Sequence, residues 1–378
     1  MVPGVEYSRV VNASTLVSAF GRRLNYLARR QVVRTVDFEN QFNDFGLGRA
    51  DVLHFINTVS YGRTPWVTTF ETVVPRLSTT LNCHHGPEPS YATLVGDAGV
   101  RRAIEALADA PCRRLIAMSE CSAAMQRDLL GVSPDLAPTI ADKLTVLHPP
   151  QRTLLATFSE KPVTYDEEIT FMLVGSQFFS KGGMEVVDVL SRLRVEQGYP
   201  IRLVVVSALV TDGYVTMTGP GDIACAEAAL GANADWIEYH RQMPNASVLE
   251  RMKRAHVGLL PAHAETYGFS VLEFQAAGCP VISTDVRALP EINSSECGWV
   301  IPVPKNRLGE AVYASPESRA ALSSAIDEGL ERAIHDVFAD REAIVRKGDL
   351  ALARVRREHS VERYAQQLGE IYLSATSD

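Results

Sequence analysis

The chain contains no Cys-x-x-Cys pair, no Asp-x-Asp pair and no His/Cys cluster with the spacing of a zinc site. Its six cysteines (83, 112, 121, 225, 279 and 297) are scattered over 378 residues, a usage that fits free thiols in a reducing compartment. No apolar run approaches the ~20 residues needed to span a bilayer. The start, "MVPGVEYSRV", has neither the basic opening nor the apolar core of a signal peptide. These absences set the expectation of a soluble, cytoplasmic protein. There is no basic excess either. A formal net charge of −8 argues against a nucleic-acid partner, whose phosphates select basic surfaces. Internal repeats and low-complexity tracts are also missing.

What is present is an ordinary globular composition, 46% hydrophobic and 7% aromatic. At roughly 150 residues per domain, two domains are expected. The Pro-Pro breaker ending "KLTVLHPPQ" places the linker between Pro149 and about Pro162. Beyond it, apolar strands ("ITFMLVG", "IRLVVVS", "VGLLP", "PVIST") alternate with helical segments. Near-continuous Val/Ile/Leu strands between helices predict a parallel sheet covered on both faces, a doubly wound Rossmann-like domain. The N-terminal half alternates less cleanly, through "DVLHFIN", "WVTTFE", "GVRRAIEALADA" and "RRLIAMSECSAAMQRDLL". The last forty residues read as helical throughout. Two such halves imply an α/β protein with a central cleft.

"ETYGFSVLE" (265–273) lies where ligands bind in such sheets, after a strand and at the start of a helix. Glu265 and Glu273 bracket that start. The structural reading makes Ser270 and Glu273 an S-x-x-E capping box and Glu265 a solvated loop acid. The chemical reading is that a helix N-terminus, with unpaired amides and the positive end of its dipole, suits a diphosphate. Gly268 would let backbone approach it closely.

The surrounding stretch, "PAHAETYGFSVLEFQAAGCPVIST", resembles the E-x7-E region of the retaining GT-B glycosyltransferases of family 4 (glycosyl transferases group 1). Pro261, Glu265, Gly268, Phe269, Glu273, Ala277, Gly278, Pro280 and Val281 match in order. "MLVGSQFFSKGG" resembles the glycine-lysine segment that opens the family's C-terminal domain. "RLIAMSECS" resembles a strand-Ser segment of its N-terminal domain. "YHRQMPNASVLERMKRAHVGLLP", beginning near His240, resembles the stretch before the double glutamate. "SVERYAQQLGEIY" resembles the closing helix that returns to the first domain.

The resemblance implies an acceptor-binding domain over 1–155, a nucleotide-sugar domain over 156–355 and a crossing helix over 356–378. It implies donor contacts at Gly175, Ser176, Lys181, His240, Glu265, Tyr267, Gly268, Phe269, Ser270 and Glu273. Glu265 would bind sugar hydroxyls, Glu273 the ribose hydroxyls and Lys181 the leaving diphosphate. The expected activity is metal-independent, retaining transfer of a hexose from a nucleotide-diphosphate donor, UDP favoured, to a glycan, lipid-linked or small-molecule acceptor. The donor is a co-substrate, and no cofactor is implied. Two departures stand out. Ser176 occupies the place of an arginine after Gly175. No histidine ends "WVTTFE", where Glu71 stands instead, with His84 and His85 on the following loop, either as catalytic candidates or as solvated residues.

Two further readings remain. A donor-binding partner without turnover is compatible with the Ser176 departure. "MTGPGDIACAEA" holds a G-x-G-x-x-A, with Glu238 near the distance expected for ribose, as in nicotinamide-dependent oxidoreductases. Separately, Arg22, Arg23, Arg29, Arg30 and Arg34 make a basic cluster over 12–34. It reads either as a solvated face or as a peripheral contact with an anionic membrane.

Overall fold

A computed structural model describes residues 2–10, 12–30, 32–45, 49–84, 86–165 and 167–377. The chain divides into two compact units, one of residues Met1–Pro149 with Val361–Asp378 and one of Pro150–Ser360.

The first unit is built on a four-stranded parallel sheet in the order Leu53–Ile56, Trp66–Phe70, Cys112–Ala117, Leu144–Val146. Every residue of Trp66–Phe70 is buried, as an interior strand of a parallel sheet requires. A separate pair, Gln41–Phe42 with Val59–Ser60, is also parallel. Helix starts follow the local chemistry: Asp97 accepts from the Val100 amide at 2.9 Å, and Ser119 caps Glu120–Leu129. The terminal helix Val361–Thr376 belongs to this unit. Leu368, Tyr372 and Ala375 pack with Val67, Ile116 and Leu147. The Tyr372 hydroxyl lies 2.6 Å from His54 Nδ1, and His54 Nε2 lies 2.7 Å from Thr69 Oγ1.

The second unit carries a six-stranded parallel sheet, ordered Gly298–Ile301, Val281–Thr284, Val257–Leu260, Ile169–Val174, Ile201–Val206, Ile237–His240. The chain winds outward from Ile169–Val174 in one direction, then returns to Val257–Leu260 and winds the other way. The strand order therefore reverses between those two strands, and the loops after them, 175–182 and 261–268, open at the switch point. Gly258 explains how the next helix lies so close to the sheet. A Cβ there would sit 2.6 Å from the Phe274 ring, so only glycine admits that ring.

The helical tail is not continuous. Helix Glu342–Glu358 ends at His359 and Ser360, and Val361–Thr376 begins anew.

Candidate functional site

Three consecutive amides define the centre of the site. Helix Phe269–Ala276 has Gly268 as its N-cap, with φ of 97°, and no side chain caps it. The backbone N–H groups of Gly268, Phe269 and Ser270 find no acceptor among the described residues, while the Val271 amide already turns back to the Gly268 carbonyl at 2.9 Å. Gly268 is required twice over, by its left-handed backbone and by space. A Cβ would fall 2.5 Å from Leu289 Cδ2. The capping box expected from Ser270 and Glu273 does not form, because the helix starts two residues earlier than that reading needs.

Glu273 lies one turn into this helix, half-buried, and its carboxylate makes no hydrogen bond or ion pair among the described residues. Burial pushes its carboxyl above the ordinary range. A carboxylate left without partners at the mouth of a sheet is poised to accept from a ligand's hydroxyls. Tyr267 is buried and its ring centroid lies 5.2 Å from that of Phe269, which is exposed.

Glu265 and Lys181 meet. Lys181 Nζ lies 2.9 Å from Glu265 Oε2 and 3.0 Å from the Ala264 carbonyl, with side chains only 15% and 16% exposed. Glu265 Oε1 accepts from the Thr266 amide at 2.9 Å. The glycines around Lys181 fit this geometry. A Cβ on Gly175 would strike Lys181 Cγ at 2.7 Å, and one on Gly182 (φ 73°) would meet the Pro261 carbonyl at 2.3 Å. The two loops of the switch point are thus locked against each other. Ser176, beside them, is exposed.

A second lock was not legible in the sequence. His263 Nε2 lies 2.8 Å from Glu185 Oε1, which also accepts from Ser323 Oγ at 2.8 Å. The His263 amide donates to the Ser180 carbonyl at 3.0 Å. Burial would raise the Glu185 carboxyl, but the His263 ring and the hydrogen bonds draw it below the ordinary value. This pair fixes the residues next to both Lys181 and Glu265. It borders a cavity of about 190 Å³ that Phe179, Thr216 and Arg319 also line. The signal was a His and a Glu separated by 78 positions, which no local pattern connects.

His240 closes its strand with Nε2 at 2.7 Å from Glu238 Oε1. Glu238 is also held by Arg251 at 2.5 Å, and those contacts, against the cost of burial, bring its carboxyl down to about 2. Glu238 is therefore committed to ion pairs and does not serve a ribose. The G-x-G-x-x-A segment also lacks the context of a dinucleotide fingerprint. Gly219 caps helix Pro220–Ala232 but follows an irregular loop, thirteen residues beyond the strand that ends at Val206.

The remaining candidates belong to the first unit. Glu71 follows Trp66–Phe70 and pairs with Arg76 at 2.6 Å. His84 is not a solvated loop residue: it is buried, with Nε2 2.8 Å from the Tyr91 hydroxyl. His85 lies outside the described residues. No group of three or more His, Cys, Asp or Glu among the described residues could hold a metal ion.

Residues 156–326 match the family described as "Glycosyl transferases group 1". Over 174 residues the chain is 25% identical to the lipopolysaccharide core biosynthesis mannosyltransferase LpcC of Rhizobium leguminosarum bv. viciae, covering 46% of this chain and 42% of that protein. The chain thus spans less than half the length of that relative. Among solved structures it is similar to a sucrose-phosphate synthase from Thermosynechococcus elongatus (TM-score 0.56, 14% identity, all of this chain and 83% of that one). It is also similar to Anabaena HepE in complex with UDP (TM-score 0.55, 15% identity, 82% of this chain and 73% of that one). These likenesses agree with the parallel α/β architecture of each unit.

Proposed function

We propose that this protein transfers a sugar from a nucleotide-diphosphate donor, a reading supported by the match of residues 156–326 to the glycosyl transferases group 1 family and by the likeness in fold to the solved structures above. The observation that carries the reading is the row of unpaired amides at Gly268, Phe269 and Ser270, with the Lys181–Glu265 pair anchored in the loop just ahead of them and the unpartnered Glu273 one turn further on. The donor's diphosphate takes the amides and Lys181. Its ribose hydroxyls bond to Glu273, and its sugar hydroxyls to Glu265. Departure of the diphosphate concentrates negative charge where preorganised donors already point, the arrangement that lowers such a barrier.

UDP is the favoured donor nucleotide, a choice supported by the likeness to HepE, whose structures include complexes with UDP and with UDP-glucose. The transfer is retaining and metal-independent in this reading, with the leaving phosphate assisting deprotonation of an acceptor that is a glycan, a lipid-linked sugar or a small molecule. Thermal shifts with UDP, GDP, ADP, TDP and NAD test the donor. Only the correct diphosphate raises the melting temperature of the wild type, and Glu273→Ala abolishes that rise. Glu265→Ala lowers turnover more than nucleotide affinity. A shift with NAD alone would contradict the reading.

A second reading rests on Ser176, which offers the diphosphate a hydroxyl in place of a guanidinium. On it the chain binds donor without turnover. Hydrolysis of UDP-sugar in the absence of acceptor excludes that reading.

A further inference from the structure

The helix Ala13–Ala28 of the first unit packs the opposite way round from a core helix. Among the described side chains, those turned to the protein are small or polar. Ser18 is fully buried and donates to Glu39 Oε1 at 2.6 Å, and Asn25 accepts from the Val32 and Val33 amides at 2.7 and 2.8 Å. Gly21 lets the helix approach closely, since a Cβ there would lie 2.9 Å from Val33 Cγ1. The side turned to solvent carries an apolar row beside Arg22 and Arg23. Val17, Phe20, Leu24 and Leu27 recur at helical spacing and are all exposed, Phe20 at 71% and Leu27 at 70%. An apolar stripe of this kind, displayed outward, asks for a covering surface.

Charge says which one. From residue 12 to residue 36 there are five arginines and no acidic residue, in a chain whose net charge is −8. Arg22 pairs with Glu39. Arg23, Arg29, Arg30 and Arg34 are exposed and have no ion-pair partner among the described residues. No described helix is long and apolar enough to cross a membrane, and this one has sixteen residues. A short helix with an outward apolar stripe, arginines at its flank and end, and no acids is suited to lie in the plane of a lipid interface.

We propose that Ala13–Ala28 docks the protein on an anionic lipid surface, with Val17, Phe20, Leu24 and Leu27 entering the acyl boundary and the four free arginines on the headgroups. A protein partner of the same basic stripe would be acidic, but four large apolar side chains in one row, free of any intervening acid or lysine, favour the lipid. This proposal does not rest on the donor reading above.

Co-sedimentation of the full chain with vesicles tests it. The wild type pellets with vesicles of equal parts phosphatidylglycerol and phosphatidylcholine, stays in solution with phosphatidylcholine alone, and is released by salt. Phe20→Ser/Leu27→Ser loses binding at least ten-fold. Arg23→Glu/Arg30→Glu loses it by about five-fold or more per arginine. Both variants keep the melting temperature and the UDP-induced shift of the wild type, because the altered side chains are exposed and outside the nucleotide-binding unit. The proposal is overturned if the wild type ignores anionic vesicles or binds neutral ones equally. It is also overturned if Phe20→Ser/Leu27→Ser converts a dimer to a monomer without any vesicle binding, which would assign the stripe to a second copy of the chain.

Discussion

Lys181 and Glu265 form an ion pair at 2.9 Å, so a diphosphate bound as proposed would draw the ammonium away from, or share it with, the carboxylate. Removing the lysine would leave the largely buried Glu265 without its ion-pair partner. Lys181→Ala is expected to weaken UDP binding roughly ten- to hundred-fold, the range of a charge-assisted bond of about 1.5–3 kcal/mol, and to weaken UMP much less. Isothermal titration with both nucleotides checks this, and equal losses would place Lys181 away from the β-phosphate. Glu273 gives a second prediction with a defined sign. Its folded-state value is raised by burial, so the native state holds its proton more tightly than the unfolded chain. Stability from that group is therefore present below the raised value and lost as pH climbs through it. Glu273→Gln is expected to lose the UDP response yet melt higher than wild type at neutral pH, with the gain shrinking in acid. A lower melting temperature at every pH would mean that the carboxylate is structural.

Local pattern carried much of this site. The spacing of Glu265, Gly268 and Glu273, and the Lys181-Gly182-Gly183 run, each sit within one loop and one helix start. The Lys181–Glu265 and His263–Glu185 pairs join residues 84 and 78 positions apart, and such pairings depend on strand order, which sequence periodicity does not set. The Ser270 capping reading failed for a related reason: positive φ at Gly268 moved the helix start, and a backbone dihedral is invisible in the letters.

Among the elements, the turn after Phe179–Lys181 has the least room. Gly182 combines φ of 73° with a Cβ position 2.3 Å from a backbone carbonyl oxygen, which cannot rotate away. Gly182→Ala is expected to cost at least ~2 kcal/mol and to displace Lys181 with it. Chemical denaturation of the variant, with UDP affinity measured alongside, tests both effects, and a fully stable variant with normal affinity would contradict the described turn. The alternating strands and helices of the second unit were readable where the strands are largely apolar, as in Ile169–Val174, Ile201–Val206 and Val257–Leu260. The helix Ala13–Ala28 was readable as a helix from the same periodicity. Its orientation was not, since periodicity identifies an apolar face but not whether protein or solvent lies against it.

For the whole molecule, the division of labour is testable by truncation. The last helix completes the core of the first unit through Leu368, Tyr372 and Ala375, while the amides, Lys181, Glu265 and Glu273 belong entirely to the second. A chain ending at Ser360 exposes Val67, Ile116 and Leu147 and is expected to show a weakened first unfolding transition, with the UDP-dependent transition retained. Loss of the UDP response together with the helix would show that nucleotide binding does not reside in residues 150–360. The central claim is that the donor's diphosphate sits on the amino end of Phe269–Ala276. A crystal structure of the UDP complex measures it directly. The account predicts phosphate oxygens within hydrogen-bonding distance of the Gly268, Phe269 and Ser270 amides and of Lys181 Nζ, with ribose hydroxyls on Glu273. UDP bound elsewhere, with those amides still unpaired, would contradict it.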